Sequence, residues 1–237
     1  MKSKKIVSGT MTYNTNYTYV AGVETNSTTN LIASITDTAG NSVSCTYDAN
    51  GNIKTAVVNG KNIKYYYNDL NELTREDNEI LNKTITYSYD GGGNIVSKNE
   101  YALTSVENPV NPTLITAYAY TDSNWKDKLT SYDGKDITYD NIGNPTKYNG
   151  WTFTWKQGRQ LSMMSKTGMD VSFKYNDSGI RTQKTVNGVT TNYYLDGDRL
   201  TYEDNGTDKI YYTYDASGNL VSMNLNGVEY YYIRNVQ

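Results

Sequence analysis

"YDANGNIKTAVVNGKNIKYYYN" runs from Tyr47 to Asn68, and its reading decides the fold. It opens on Tyr-Asp, turns through Ala-Asn-Gly-Asn, runs out from Ile53 to Val58, turns at Asn59-Gly60 and returns from Lys61 to Tyr67. Asp and Asn side chains bond back to nearby backbone and Gly51 permits a positive φ, so Asp48 to Asn52 is expected to be a tight turn. Asn-Gly between two alternating runs is a strong hairpin signal, because a type I′ turn needs positive φ at both central residues. Asn187-Gly188 and Asn226-Gly227 hold the same place farther along. The phrase therefore predicts strand, turn, strand, turn, with strands about 20 Å long.

The phrase repeats. An aromatic followed by a polar turn and an aliphatic residue recurs at Tyr47, Tyr67, Tyr89, Tyr120, Tyr139, Trp155, Tyr175, Tyr194, Tyr214 and Tyr232, at intervals of 16 to 31 residues. The longest interval holds an insertion over about residues 100–118, "EYALTSVENPVNPTLITAY". The complete turn is formed by Asp48, Gly51 and Asn52, and again by Asp90, Gly93 and Asn94, by Asp140, Gly143 and Asn144, and by Asp215, Gly218 and Asn219. Side chains alternate faces along a strand. The strand entering each turn carries aromatics on one face: Tyr65 and Tyr67, Tyr87 and Tyr89, Phe153 and Trp155, Phe173 and Tyr175, Tyr212 and Tyr214, Tyr230 and Tyr232. These predict aromatic ladders in which each ring stacks on its counterpart in the next unit, at roughly 0.2–1 kcal/mol per cross-strand pair. The fold class is all-β: tandem strand-turn-strand repeats of about 20 residues in one array, repeat by repeat. A β-propeller is weighed against this, but blades of equal size do not suit intervals so uneven. Residues 43–237 form the repeat array; residues 1–42 match poorly, and "ITDTAGNSVSCTYD" reads as a worn unit or a cap.

Composition narrows the chemistry. The 237 residues include 25 Tyr but 2 Phe, one Cys, three Pro and no His, with a net charge of −3. So many aromatics argue against disorder. There is no basic nucleic-acid footprint, no apolar run that spans a bilayer and no signal-peptide core near the N-terminus. The chain reads as leaderless or as a fragment of something longer. Without His, Ser–His and Cys–His nucleophile systems are excluded, as are Cys/His zinc sites. Cys45, in the middle aromatic slot, reads as a packed residue. The turn carboxylates read as turn caps; "DANGN" lacks the remaining ligands of a calcium loop, and "GGGN" at Gly91 to Asn94 lacks the Lys and helix of a phosphate loop. No cofactor, metal or catalytic residue is expected. Trp125, in the long turn "TDSNWKDKL", is the candidate for stacking on a sugar ring.

The residues "YDANGNI", "YDGGGNI" and "YDASGNL" resemble the YD repeats of RHS proteins, found in bacterial polymorphic toxins, wall-associated proteins, the C components of ABC toxins and the teneurins. "YDNIGNP", "YNDLNEL", "WKQGRQL" and "YLDGDRL" are degenerate copies, and the likeness covers about Val43 to Gln237. The resemblance implies a continuous spiral β-sheet forming part of a hollow β-shell around a C-terminal toxin or effector. It implies a protein secreted or held at the cell surface. It also implies a plugging, often self-cleaving core after the repeats, which this sequence does not reach by Gln237. The expected function is a non-catalytic structural module of such a shell, with the effector as partner. The alternative is a carbohydrate- or cell-wall-binding aromatic repeat module. The last strand, Val228 to Arg234, carries Tyr230, Tyr231 and Tyr232 with Glu229 and Arg234 as charged guards; as an aromatic edge it is expected to favour self-association.

Overall fold

The computed structural model describes residues 2–8 and 10–232, and among them every regular element is a β-strand. The chain divides into two compact units, 1–134 and 135–237.

The first unit holds β1 (Ser3–Ser8), β2 (Met11–Ala21), β3 (Thr28–Asp37), β4 (Ser42–Tyr47), β5 (Ile53–Val58), β6 (Lys61–Tyr67), β7 (Leu73–Asn78), β8 (Lys83–Tyr89), β9 (Ile95–Ala102), β10 (Leu114–Ala119) and the short β11 (Ser131–Tyr132). Each pairs antiparallel with the next, as a meander. The second unit repeats the plan with β12 (Lys135–Tyr139), β13 (Pro145–Tyr148), β14 (Trp151–Lys156), β15 (Gln160–Lys166), β16 (Met169–Tyr175), β17 (Arg181–Val186), β18 (Val189–Asp196), β19 (Arg199–Asp204), β20 (Lys209–Tyr214), β21 (Leu220–Leu225) and β22 (Val228–Tyr231). The insertion is partly strand: Glu100 to Ala102 end β9, Leu114 to Ala119 form β10, and the two pair. The terminal strand ends at Tyr231; Ile233 to Gln237, Arg234 included, lie outside the described residues.

Burial is sparse. Ala56, Ile63, Ile85 and Tyr101 are the buried apolar side chains of the first unit, and Val171 that of the second, among the described residues. Along β6, β14, β16 and β20 the aromatic face is half-buried or buried and the alternate face exposed. A sheet with one apolar face normally buries it against a second layer; neither unit supplies such a layer from its own strands.

The two-residue turns are type I′. Asn59-Gly60, Asn187-Gly188 and Asn226-Gly227 have φ of 48°/80°, 46°/87° and 52°/92°. A Cβ on Gly188 would meet nothing within 4 Å, so only backbone strain opposes a side chain there. Gly188→Val is expected to cost about 1–3 kcal/mol, read as a lower thermal midpoint; an unchanged midpoint contradicts the strain.

Candidate functional site

The repeating element is the turn, and its geometry follows from one side chain. Asp48 Oδ1 accepts from the backbone N–H of Asn50 and Asn52, both at 2.9 Å, and Asn52 Nδ2 donates to Asp48 Oδ2 at 3.0 Å. The backbone closes the ring: Asp48 N–H donates to the Asn52 carbonyl and Gly51 N–H to the Asp48 carbonyl. The same set of bonds recurs at Asp90 and Asn94, at Asp140 and Asn144, and at Asp215 and Asn219. There the N–H groups of Gly93, Gly143 and Gly218 donate to the carbonyls of Asp90, Asp140 and Asp215 at 3.1, 3.2 and 2.9 Å. Gly51, Gly93, Gly143 and Gly218 sit at φ of 87°, 83°, 85° and 81°, a region costly to any side chain. A Cβ on Gly218 would also meet Arg199 Nη2 at 2.8 Å, and one on Gly93 would meet Glu72 Oε1 at 3.3 Å. The bonds recur where the motif is degenerate: at Asp37–Asn41, at Asn68–Glu72 and, in part, at Asn176–Ile180. The sequence marks these places as degenerate or worn copies of the repeat, after Tyr67 and Tyr175 and in "ITDTAGNSVSCTYD", without assigning Asp37, Asn68 and Asn176 the turn-bonding role. The signal was present, since an Asn carbonyl oxygen accepts the same two N–H groups as an Asp carboxylate.

Next to the turns that follow β4 and its later counterparts lies a β-bulge, though not beside Asp37–Asn41. Thr46 faces Thr55 but Tyr47 faces Ile53, so Lys54 is extra. The same skip falls at Thr74, Val96, Thr146, Ser162, Thr182, Thr201 and Val221. A bulge bends its strand and raises the local twist. It also leaves a carbonyl near the start of that strand beyond the ladder on its other side: β5–β6 pairing begins only at Thr55 and β15–β16 pairing only at Met163. The anchor aromatic fills the gap. The hydroxyls of Tyr67, Tyr89, Tyr175 and Tyr214 donate to the carbonyls of Ile53, Leu73, Leu161 and Leu200 at 2.7 to 3.1 Å. Tyr47 donates to Ile32, and Trp155 donates its indole Nε1–H to Pro145 at 2.7 Å. Phe cannot make this bond; Trp can.

That arrangement corrects the ladder. Tyr65 and Tyr87 lie on β6 and β8 with β7 between them, and Glu76 of β7 faces Tyr65. Alternate strands are about 10 Å apart, beyond the 4.5–7 Å reach of paired rings. The same holds from Phe153 to Phe173 and from Tyr212 to Tyr230. Close stacking occurs instead between adjacent strands, in Tyr194–Tyr202 at 5.1 Å and Tyr202–Tyr211 at 4.5 Å, where Tyr211 faces away from Tyr212. Tyr230 is exposed, and the Tyr232 hydroxyl reaches Met223 Sδ.

On the opposite face of the first unit, buried Arg75 holds down the segment 103–113. Its Nε donates to Asp77 at 2.8 Å, and its terminal nitrogens donate to the carbonyls of Thr104, Val106 and Glu107 at 2.7 to 2.8 Å. Thr84, fully buried, donates to Asp77 and accepts the Thr104 N–H. Trp125 is exposed, with the Lys128 ammonium 5.8 Å from its ring and its own N–H bonded to Asp122.

The titratable groups serve the fold. The Asn52, Asn94 and Asn144 bonds hold the carboxyls of Asp48, Asp90 and Asp140 below their ordinary 3.8. The Tyr13 hydroxyl takes Asp37 down to about 2, and the Lys128 ammonium does the same for Asp122. Burial pushes the Cys45 thiol up, away from the reactive thiolate. A folded-state pKa below the unfolded one contributes stability above the ordinary value and loses it as pH falls. The denaturation midpoint should therefore hold at neutral pH and fall from about pH 4 down through pH 2, where these carboxylates protonate; a flat profile across that range contradicts the turn bonding. No three His, Cys, Asp or Glu side chains gather into a metal-holding group among the described residues.

A scan against family models finds no match. The chain is 37% identical over 173 residues to a tRNA3(Ser)-specific nuclease WapA of Bacillus spizizenii, covering 70% of this chain and 7% of that protein. It is 37% identical over 174 residues to a tRNA nuclease WapA of Bacillus subtilis, with the same coverage of 70% and 7%. Among solved structures, a Photorhabdus luminescens Tc holotoxin pore superposes with a TM-score of 0.50 at 16% identity, over 93% of this chain and 14% of the other. The chain thus spans a small fraction of the length of the proteins it matches.

Proposed function

Because this chain is an RHS/YD-repeat polypeptide, we propose that it is a non-catalytic wall segment of a β-shell that encloses a C-terminal effector. The observation that carries the reading is the single-layer sheet of each unit, with one face lined by half-buried aromatics and no covering layer of its own. Such a face is built to meet something else. The side chains that repeat most faithfully make turn and ladder-end bonds, which supports a structural wall. The relatives support the same reading: WapA proteins are named as tRNA nucleases, and the matched stretch is a short part of each. Nuclease action belongs, in this proposal, to the enclosed effector, and the protein works from outside the cell that makes it, secreted or at the surface.

The carbohydrate reading rests on Trp125. There the ring, Asp122 and Lys128 close the turn on itself, so the wall is the function the geometry supports best. Purified chain incubated with tRNA should leave it intact at any pH between about 6 and 9. Reproducible cleavage, lost on substituting one residue of this chain, would overturn the non-catalytic assignment.

A further inference from the structure

We propose that Asn149 is a site of spontaneous covalent modification, deamidating through a succinimide while the other Asn-Gly pairs of the chain are held back by the fold. The reaction needs an Asn side chain free to swing against the next backbone nitrogen. Gly150 N attacks Asn149 Cγ, the amide nitrogen leaves as ammonia, and a five-membered imide closes. Water then opens either carbonyl of the imide, giving Asp or isoAsp. The net change is amide plus water to carboxylate plus ammonium, with no oxidant or cofactor.

The chain contains its own controls. Asn59 accepts the Ser42 N–H on Oδ1 at 2.7 Å, Asn187 that of Asp170 at 2.8 Å, and Asn226 that of Lys209 at 2.8 Å. Their amide nitrogens are engaged too, with Asn41, Gly168 and Asp208. Asn205 accepts from Thr207 and Asp208, and Asn50 donates to Asn71. Asn149 shares the type I′ turn, with φ 46° followed by 81° at Gly150. It is exposed, and its side chain makes no hydrogen bond among the described residues. Ile137 faces Tyr148, so Asp136 stands where the locking N–H would come from, but that bond is not formed. To reach the reactive geometry the other sites must break one or two extra bonds, worth roughly a tenfold difference in rate.

The product matters to the hairpin. IsoAsp adds a methylene to the backbone of the turn joining β13, the four-residue strand Pro145–Tyr148, to β14. Purified chain kept at pH 8 and 37 °C and sampled by peptide mapping, with isoAsp read by enzymatic methylation, tests this. Asn149 should convert roughly tenfold faster than Asn59, Asn187 and Asn226, and in strong denaturant the four should converge. Equal rates in the folded protein, or an Asn149 lead that persists in denaturant, would overturn the proposal.

Discussion

Arg75→Ala is expected to lower the unfolding free energy of the first unit by about 3–5 kcal/mol, the range for removing one partner of a buried ion pair. The side chain is 8% exposed, and its loss leaves Asp77 with the Thr84 hydroxyl but no ion-pair partner and removes the donor to three carbonyls of the segment 103–113. Arg75→Lys should recover little, because one ammonium cannot fork to an Asp and three carbonyls together. Denaturant unfolding of both variants, with hydrogen exchange on residues 103–113, reads the effect. A loss below about 1 kcal/mol, the size of a surface ion pair, would show that the segment is not anchored there.

Asn144→Ala is expected to cost about 2–3 kcal/mol, and Asn219→Ala under about 1 kcal/mol, although both fill the same place in the motif. Asn144 is 3% exposed, and its Nδ2 donates to Asp140 Oδ2 at 2.8 Å and to the Gly158 carbonyl at 2.7 Å. Removing it takes two hydrogen bonds from a buried side chain, one to the half-buried Asp140 carboxylate and one to the Gly158 carbonyl. Asn219 is exposed, and its Nδ2 bonds only within its own turn, to Asp215. Thermal midpoints of the two variants side by side decide the matter; equal losses would mean that the motif, rather than burial, sets the energy.

The strands were legible because their signals are local. Ile53 to Val58 and Lys61 to Tyr67 are bracketed by Asp-x-x-Gly-Asn and Asn-Gly, residues whose own side chains and φ preferences make turns. Three features were not legible from local pattern. The stacked ladder failed because one repeat is two strands, which puts successive aromatics across an intervening strand. The hydroxyl bonds of Tyr67, Tyr89, Tyr175 and Tyr214 depend on bulges that no residue type announces; the one available hint was that Trp155, and not Phe, replaces Tyr in that slot. Arg75 sits in "LTREDN", a polar strand that reads as solvent-facing, and only the return of residues 104–107 over it buries the guanidinium.

The wall assignment is tested most directly by hydroxyl-radical footprinting of the 237-residue chain beside the product of its complete natural reading frame. If the aromatic face closes over an effector, Tyr65 and Tyr87 in the first unit and Tyr212 in the second lose reactivity several-fold in the product of that reading frame. Tyr194 and Tyr211, exposed and stacked on the other face, keep theirs. Equal labelling of Tyr65, Tyr87 and Tyr212 in the two preparations would contradict an enclosed cargo.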